Sequence, residues 1–214
     1  MKTAILAFAA ATLSAQAPPP LFDDDRVRVL KVTVAPGQKS ALHKHDVNRV
    51  MVYLNEGGQK LTYQDGKVDD QKWKAGEVRW SPAGGLHTSE STSSREFQIV
   101  EIELKNKPTR AKAGGSALDP VKVAPKNYRV EMENGQVRVI RFRNSPRGKI
   151  PMHEHALSRV TVFLTEFPAR VVAADGATSE LRKQAGDVTW GGPAKHTEEN
   201  LSDNAVEVVA VEIK

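Results

Sequence analysis

Cysteine is absent from the 214-residue chain, which removes disulfides, thiolate nucleophiles and thiolate metal ligands at once. Stability must then come from core burial, from pairing of domains or from a metal held by other donors. Long apolar runs are equally scarce. After residue 17 nothing approaches the roughly 20 residues that a membrane helix needs, and no amphipathic stretch long enough for a stable helix appears. No basic cluster stands out either: the formal net charge is +5, and the Lys and Arg residues are scattered, a pattern of solvated surface that gives no sign of nucleic-acid binding. Attraction for small anions is compatible with that charge.

The one compact apolar run lies at the start. Lys2, the stretch Ala4 to Leu13 and Ala15-Gln16-Ala17 have the order of a secretory signal: a short basic region, an apolar region and an A-x-A cleavage site. Residues 1–17 are therefore expected to be a leader, with a mature chain beginning near Pro18. Together with the lack of cysteine this points to a bacterial periplasmic or secreted protein, with no membrane association once the leader is removed.

The remainder is an internal duplication. A shift of 110 residues lays VRVLK (27–31) on VRVIR (137–141), His43 and His45 on His153 and His155, Arg49 on Arg159, and AGEVRW (75–80) on AGDVTW (185–190). After a one-residue deletion His87-Thr88 meets His196-Thr197, and VEIELK (100–105) meets VAVEIK (209–214). Two copies follow, 22–105 and 127–214, joined by a segment at 106–126 whose Pro, Gly, Ala and charge mixture reads as a flexible linker.

Each copy reads as short strands. RVRVLKVTV and QVRVIRFRN alternate with period two, VMVYL and VTVFL are rich in β-branched residues, and QDGK, ADGA and SPAGG mark turns. An all-β sandwich or barrel per copy leaves the fewest open sheet edges. Arg49, Met51 and Tyr53 share one face of their strand, while Val50, Val52 and Leu54 share the other; Arg159, Thr161 and Phe163 oppose Val160, Val162 and Leu164 in the same way. A strand apolar on both faces must pack on both sides, so domain–domain packing or a homodimer is expected.

All six histidines fall in two equivalent triads, His43, His45, His87 and His153, His155, His196. On a strand an H-x-H pair sends both imidazoles to one face, and a third histidine from a neighbouring strand completes a facial set suited to Fe, Mn, Zn, Ni or Cu. The repetition, with no histidine elsewhere, points to a divalent transition-metal site in each copy.

At these residues the chain resembles the cupin superfamily, whose motifs are G-x5-H-x-H-x3,4-E-x6-G and G-x5-P-x-G-x2-H-x3-N. Gly37, His43 and His45 match the opening of the first motif. Gly76, Pro82, Gly84 and His87 match the second, with Ser91 in place of Asn. In the second copy Gly148 stands one residue too near His153, while Gly186, His196 and Asn200 align. The resemblance covers both copies and implies two tandem cupin-type jelly-roll β-barrels, a bicupin, with a metal centre inside each barrel.

The departure from that pattern is the glutamate ligand, replaced by Arg49 and Arg159. A guanidinium about 4 Å from a divalent ion opposes it by roughly 8 kcal/mol at an effective dielectric near 20. Three outcomes stay open: the arginine swings away from a three-histidine centre with free coordination positions, it binds an anionic group that also touches the metal, or the metal is lost and an anion pocket remains. Glu90, Glu199 and Glu154 have the wrong parity to replace the ligand, and Glu198 has the right parity but reads, like the others, as a solvated acid.

Arg49, Arg159, Tyr53 and Phe163 are the candidate substrate contacts, with barrel core the alternative for the two aromatics. Trp80 and Trp190 read as core or as pocket walls. The functional expectation is a metal-dependent dioxygenase or decarboxylase-like enzyme acting on a small organic, anionic molecule. The alternative is a non-catalytic binder of a metal, sugar or small anion. No nucleophile or further acid fixes a reaction class.

Overall fold

The computed structural model describes residues 18–214; the leader expected over 1–17 lies outside the described residues. The first copy folds as β1 (Phe22–Asp23), β2 (Val27–Val34), β3 (His43–His45), β4 (Asn48–Tyr53), β5 (Gly57–Tyr63), β6 (Val68–Trp73), β7 (Val78–Ser81), β8 (Gly84–Ser91) and β9 (Phe97–Leu104). A one-turn helix, α1 (Pro120–Val123), precedes the second copy: β10 (Tyr128–Glu133), β11 (Val137–Asn144), β12 (Lys149–His155), β13 (Arg159–Phe163), β14 (Phe167–Ala173), β15 (Thr178–Lys183), β16 (Val188–Gly191), β17 (Ala194–Asn200) and β18 (Val206–Ile213).

Each copy is a two-sheet jelly roll. Sheets of order β1-β2-β9-β4-β7 and β3-β8-β5-β6 make the first, and β10-β11-β18-β13-β16 and β12-β17-β14-β15 the second. The tight β5–β6 and β14–β15 turns place Gly66 and Gly176 at φ 87° and 88°, a left-handed conformation that explains glycine in both DG dipeptides.

The two-faced strands find both their partners. Met51 and Tyr53 point into the first barrel with Trp73, Phe97 and Ile99, whereas Val50 and Val52 turn outward. There they join Val29, Val100 and Ile102 and meet Val139, Val160, Val162 and Val211 in one continuous core. The two five-stranded sheets are therefore packed back to back within the chain, the domain–domain solution expected from the alternation. Each valine so enclosed contributes about 1.5–3 kcal/mol relative to exposure.

Polar contacts around this core repeat about a pseudo-two-fold axis. Lys31 donates to the Gly186 carbonyl at 2.9 Å, and its counterpart Arg141 donates to the Gly76 carbonyl at 2.5 Å. Arg26 donates to Ser158 at 3.2 Å, while its counterpart Gln136 accepts from Asn48 at 2.6 Å. Such reciprocity is the signature of an isologous interface.

The connecting segment departs from the flexible linker expected of its composition. Asn106 donates to the Gln136 and Lys214 carbonyls, Thr109 N–H to Gly135, and Glu154 N–H to Leu118 at 2.7 Å. Asp119 caps α1 and is buried in a two-pronged pair with Arg138, at 2.5 and 2.9 Å. That buried ion pair docks the segment on the second barrel, and composition carries no sign of it.

Candidate metal centres

In the first barrel β3 pairs with β8 so that His43 and His87 are direct partners, and His45 follows one pleat later. The ring centroids lie 4.6 to 5.5 Å apart, and one nitrogen from each ring falls within 4.8 Å of the others. His43 donates from Nδ1 to the Ala41 carbonyl at 2.9 Å, and His87 Nδ1 donates to the Gly85 carbonyl. A carbonyl only accepts, so each Nδ1 carries a proton, which leaves Nε2 as the ring nitrogen available to face a ligand. Burial, reinforced by Arg49 and the other imidazoles, pushes His45 down to about 3, which keeps that ring neutral, the form that binds metal.

Arg49 stands beside this triad, 6% exposed. It donates from one terminal nitrogen to Glu101 at 3.1 Å and from the other to Ser81 Oγ at 2.9 Å, while its Nε–H has no partner. Glu101 comes from β9, opposite Met51 in register. Burial raises its carboxyl and Arg49 partly offsets that rise. The arginine is thus neither swung into solvent nor an isolated charge. As a pair with Glu101 it is formally neutral, and the repulsion that would oppose an ion falls accordingly.

Glu101 was not legible in the duplication, because its counterpart is Ala210. The triad and Arg49 open on a cavity of about 380 Å³ whose wall includes Tyr53, Tyr63, Gln71 and Trp80. Tyr53 also stacks on Trp73 at 4.2 Å, so it serves core and wall together.

The second triad is enclosed. His153, His155 and His196 are 0%, 4% and 9% exposed, with nitrogens again within 4.8 Å. His153 donates from Nδ1 to the Pro151 carbonyl at 3.0 Å, and its Nε2 accepts from the Tyr128 hydroxyl at 3.1 Å. His155 donates from Nδ1 to Glu212 at 3.1 Å. Glu212 in turn approaches Arg138 at 3.5 Å, so Asp119, Arg138 and Glu212 form a chain from the connecting segment to the triad. Burial, against Arg138, pushes the Glu212 carboxyl up to about 7.

Arg159 donates to the Gly192 carbonyl at 3.0 Å and has no carboxylate partner comparable to Glu101. Phe163 lies in the second barrel's core with Phe142 and Phe167. Trp190, like Trp80, packs against the interdomain core, with the Arg26 guanidinium 5.6 Å above its ring.

Of the four acids weighed in the sequence, Glu90, Glu199 and Glu154 sit in partly exposed ion pairs. Glu198 is a correction: it is not solvated. Its side chain is 11% exposed, Oε2 lies 4.0 Å from His196 Nε2, and Oε1 has no hydrogen-bond partner. Burial, against Arg159, raises its carboxyl to about 7. The β17 strand continues past His196 into a covered sheet face, which parity alone could not reveal. Asp119 falls in the connecting segment and Tyr128 meets Pro18 under the 110-residue shift, so the duplication carried no signal for either.

No protein-family model and no curated protein matches the sequence. Solved structures do match in shape. AerE from Microcystis aeruginosa superposes with a TM-score of 0.64 at 12% identity, over 92% of this chain and 97% of that one. Oxalate decarboxylase from Bacillus subtilis gives 0.60 at 11%, over 88% and 68%. A cupin 2 conserved barrel domain protein from Leptotrichia buccalis gives 0.57 at 8%, over 96% and 92%. Identities this low concern the fold. With two jelly rolls in tandem, each with its histidine triad inside, the fold is that of the cupin superfamily in its two-barrel, bicupin form.

Proposed function

We propose that the first barrel is a metal-dependent active site for a small organic anion, in a protein exported from the cytoplasm. His43, His45 and His87 would hold a divalent transition metal, and the donor set fits one: three clustered imidazoles, two of them fixed through Nδ1 on backbone carbonyls. When bound, such an ion supplies Lewis acidity and coordination positions that three protein ligands leave open. The observation that carries the reading is Arg49, a buried guanidinium on the wall of the same cavity that the three histidines line.

The chain's own groups divide the remaining work. Glu101 and Ser81 hold the Arg49 head at the cavity wall, so its positive charge is fixed in place beside any carboxylate that enters. Tyr53, Tyr63 and Trp80 bound the cavity and limit it to a small molecule. The structural neighbours add support for a metal and a small acid, since one is an oxalate decarboxylase described with Mn(II) centres. Export rests on the leader-like residues 1–17 and the lack of cysteine. Among the described residues no helix is long and apolar enough to cross a membrane.

The test uses the untagged chain, its metal content by elemental analysis, and a panel of small mono- and dicarboxylic acids followed by oxygen uptake and carbon dioxide release. Turnover lost in a His43→Ala/His87→Ala chain and kept in a His153→Ala/His196→Ala chain is expected. Turnover that survives the first pair, or acids that neither bind nor react with the metal-loaded chain, would overturn the proposal.

A further inference from the structure

The two triads are alike in sequence and unlike in surroundings. We infer that the second barrel is a closed, four-ligand metal site in which Glu198 is the fourth ligand beside His153, His155 and His196, an inference that rests on reading the triads as metal sites. Its role is to hold the fold, leaving the open first site for chemistry.

The strongest ground is the orphaned carboxylate. Glu198 projects from β17 two residues beyond His196 on the same strand face, with Oε2 4.0 Å from His196 Nε2. It lies just outside the cluster formed by the three imidazoles, so coordination requires its side chain to turn toward them. A buried carboxylate oxygen without a hydrogen bond is costly to leave unsatisfied, and Oε1 has none. An ion among the imidazoles is the partner that would satisfy it. The counterpart in the first barrel is Ser89, so this ligand cannot be supplied there, and the acid sits far in sequence from Arg159, where the fold's usual glutamate would stand.

Local charge agrees. Around the second triad Arg138 and Arg159 face three carboxyl groups, those of Asp119, Glu198 and Glu212. Around the first, Arg49 and Glu101 cancel. The Arg159 head is held on the Gly192 carbonyl, which anchors that cation by a bond of its own.

Closure agrees as well. Sites that hold structure are typically four-coordinate and sealed, whereas catalytic ones keep an open position. The second triad lies under Tyr128 with its histidines almost fully buried, and Glu212 orients His155 from behind. An ion here would tie β12 to β17 and, through Glu212, Arg138 and Asp119, to β18 and the connecting segment. The Tyr128 hydroxyl lies 3.1 Å from His153 Nε2, so coordination through that nitrogen requires the hydroxyl to give up this bond.

Zinc is the probe. In a His43→Ala/His87→Ala chain, competition titration is expected to show one zinc per chain and a raised unfolding temperature. Adding Glu198→Gln should weaken that zinc at least about tenfold and cut the rise in unfolding temperature, while far-UV circular dichroism stays unchanged. Should the glutamine variant fail to fold, a crystal structure of the zinc-loaded, unsubstituted chain decides, with a Glu198 oxygen expected about 2.0–2.2 Å from the ion. Unchanged affinity in Glu198→Gln, no zinc in the His43→Ala/His87→Ala chain, or a Glu198 carboxylate turned away in the crystal would each overturn the inference. A His153→Ala/His196→Ala chain reports the first site alone, so failure of the proposed active site registers there and not in these measurements.

Discussion

Substituting Glu101 by Gln probes the balance that makes room for an ion beside an arginine. The side chain keeps its shape and loses its charge, so Arg49, 8% exposed at its side chain, becomes an uncompensated cation next to His43, His45 and His87. At an effective dielectric near 20 and a separation of roughly 6 Å, a unit charge opposes a divalent ion by about 5 kcal/mol. Water in an open cavity reduces that to about 2–3 kcal/mol, which corresponds to a loss of affinity of about 30- to 150-fold. The assay is zinc competition in a His153→Ala/His196→Ala chain, where only the first site reports. Arg49→Met/Glu101→Gln should recover most of the loss, because the cation goes with its partner, and the coupling between the two changes is the quantity of interest. If Glu101→Gln alone leaves zinc affinity within threefold of the parent, charge compensation at this site is refuted.

Three further outcomes follow from buried groups and backbone. Asp119→Asn leaves buried Arg138 with only the more distant Glu212 at 3.5 Å, so urea unfolding should show a loss of about 3 kcal/mol, the low end for breaking a buried pair, with freer proteolysis in 106–126. In metal-free protein the two kinds of buried group at the second triad oppose each other in pH. His196, held at about 3 by burial and its neighbouring imidazoles, takes up its proton more readily when unfolded, so it costs stability as pH falls below about 6.5. Glu198, raised to about 7, takes up its proton more readily when folded and adds stability as pH falls from about 7 toward the usual carboxylate range. Glu198→Gln removes that offset, and urea midpoints at pH 7 and pH 5 should diverge more steeply than in the parent; an equal or shallower slope contradicts the assignment. Gly76→Ala, at φ 76° with its Cβ 3.1 Å from Leu164, should lower stability by about 1–2 kcal/mol, read as an unfolding midpoint.

The parts legible in the sequence were those written in a period or in a repeat. Val50 and Val52 declared a second buried face because alternation is a local property of a strand, and the His triads declared themselves because the chain spells them twice. Glu101 and Tyr128 were silent for the converse reason: each acts in one copy only, with Ala210 and Pro18 at the matching places. Glu198 had the right parity, but parity says which way a side chain points and not whether another sheet covers it. Asp119 sits among Gly, Ala and Pro, and its burial depends on Arg138, a long-range pairing that no window of neighbouring residues contains.

The reciprocal contacts Lys31 to Gly186 and Arg141 to Gly76 amount to a dimer whose halves can never be diluted apart. In an ancestral pair of identical chains, any change to one active site would appear in both. Joined end to end, each barrel is guaranteed the other as its partner, so one can lose its opening and acquire Glu198 and Tyr128 while the other keeps its cavity. A single barrel expressed alone would present Val50, Val52 and Val100 to water, and would regain solubility by pairing with another copy of itself, restoring the symmetry that the fused chain has broken.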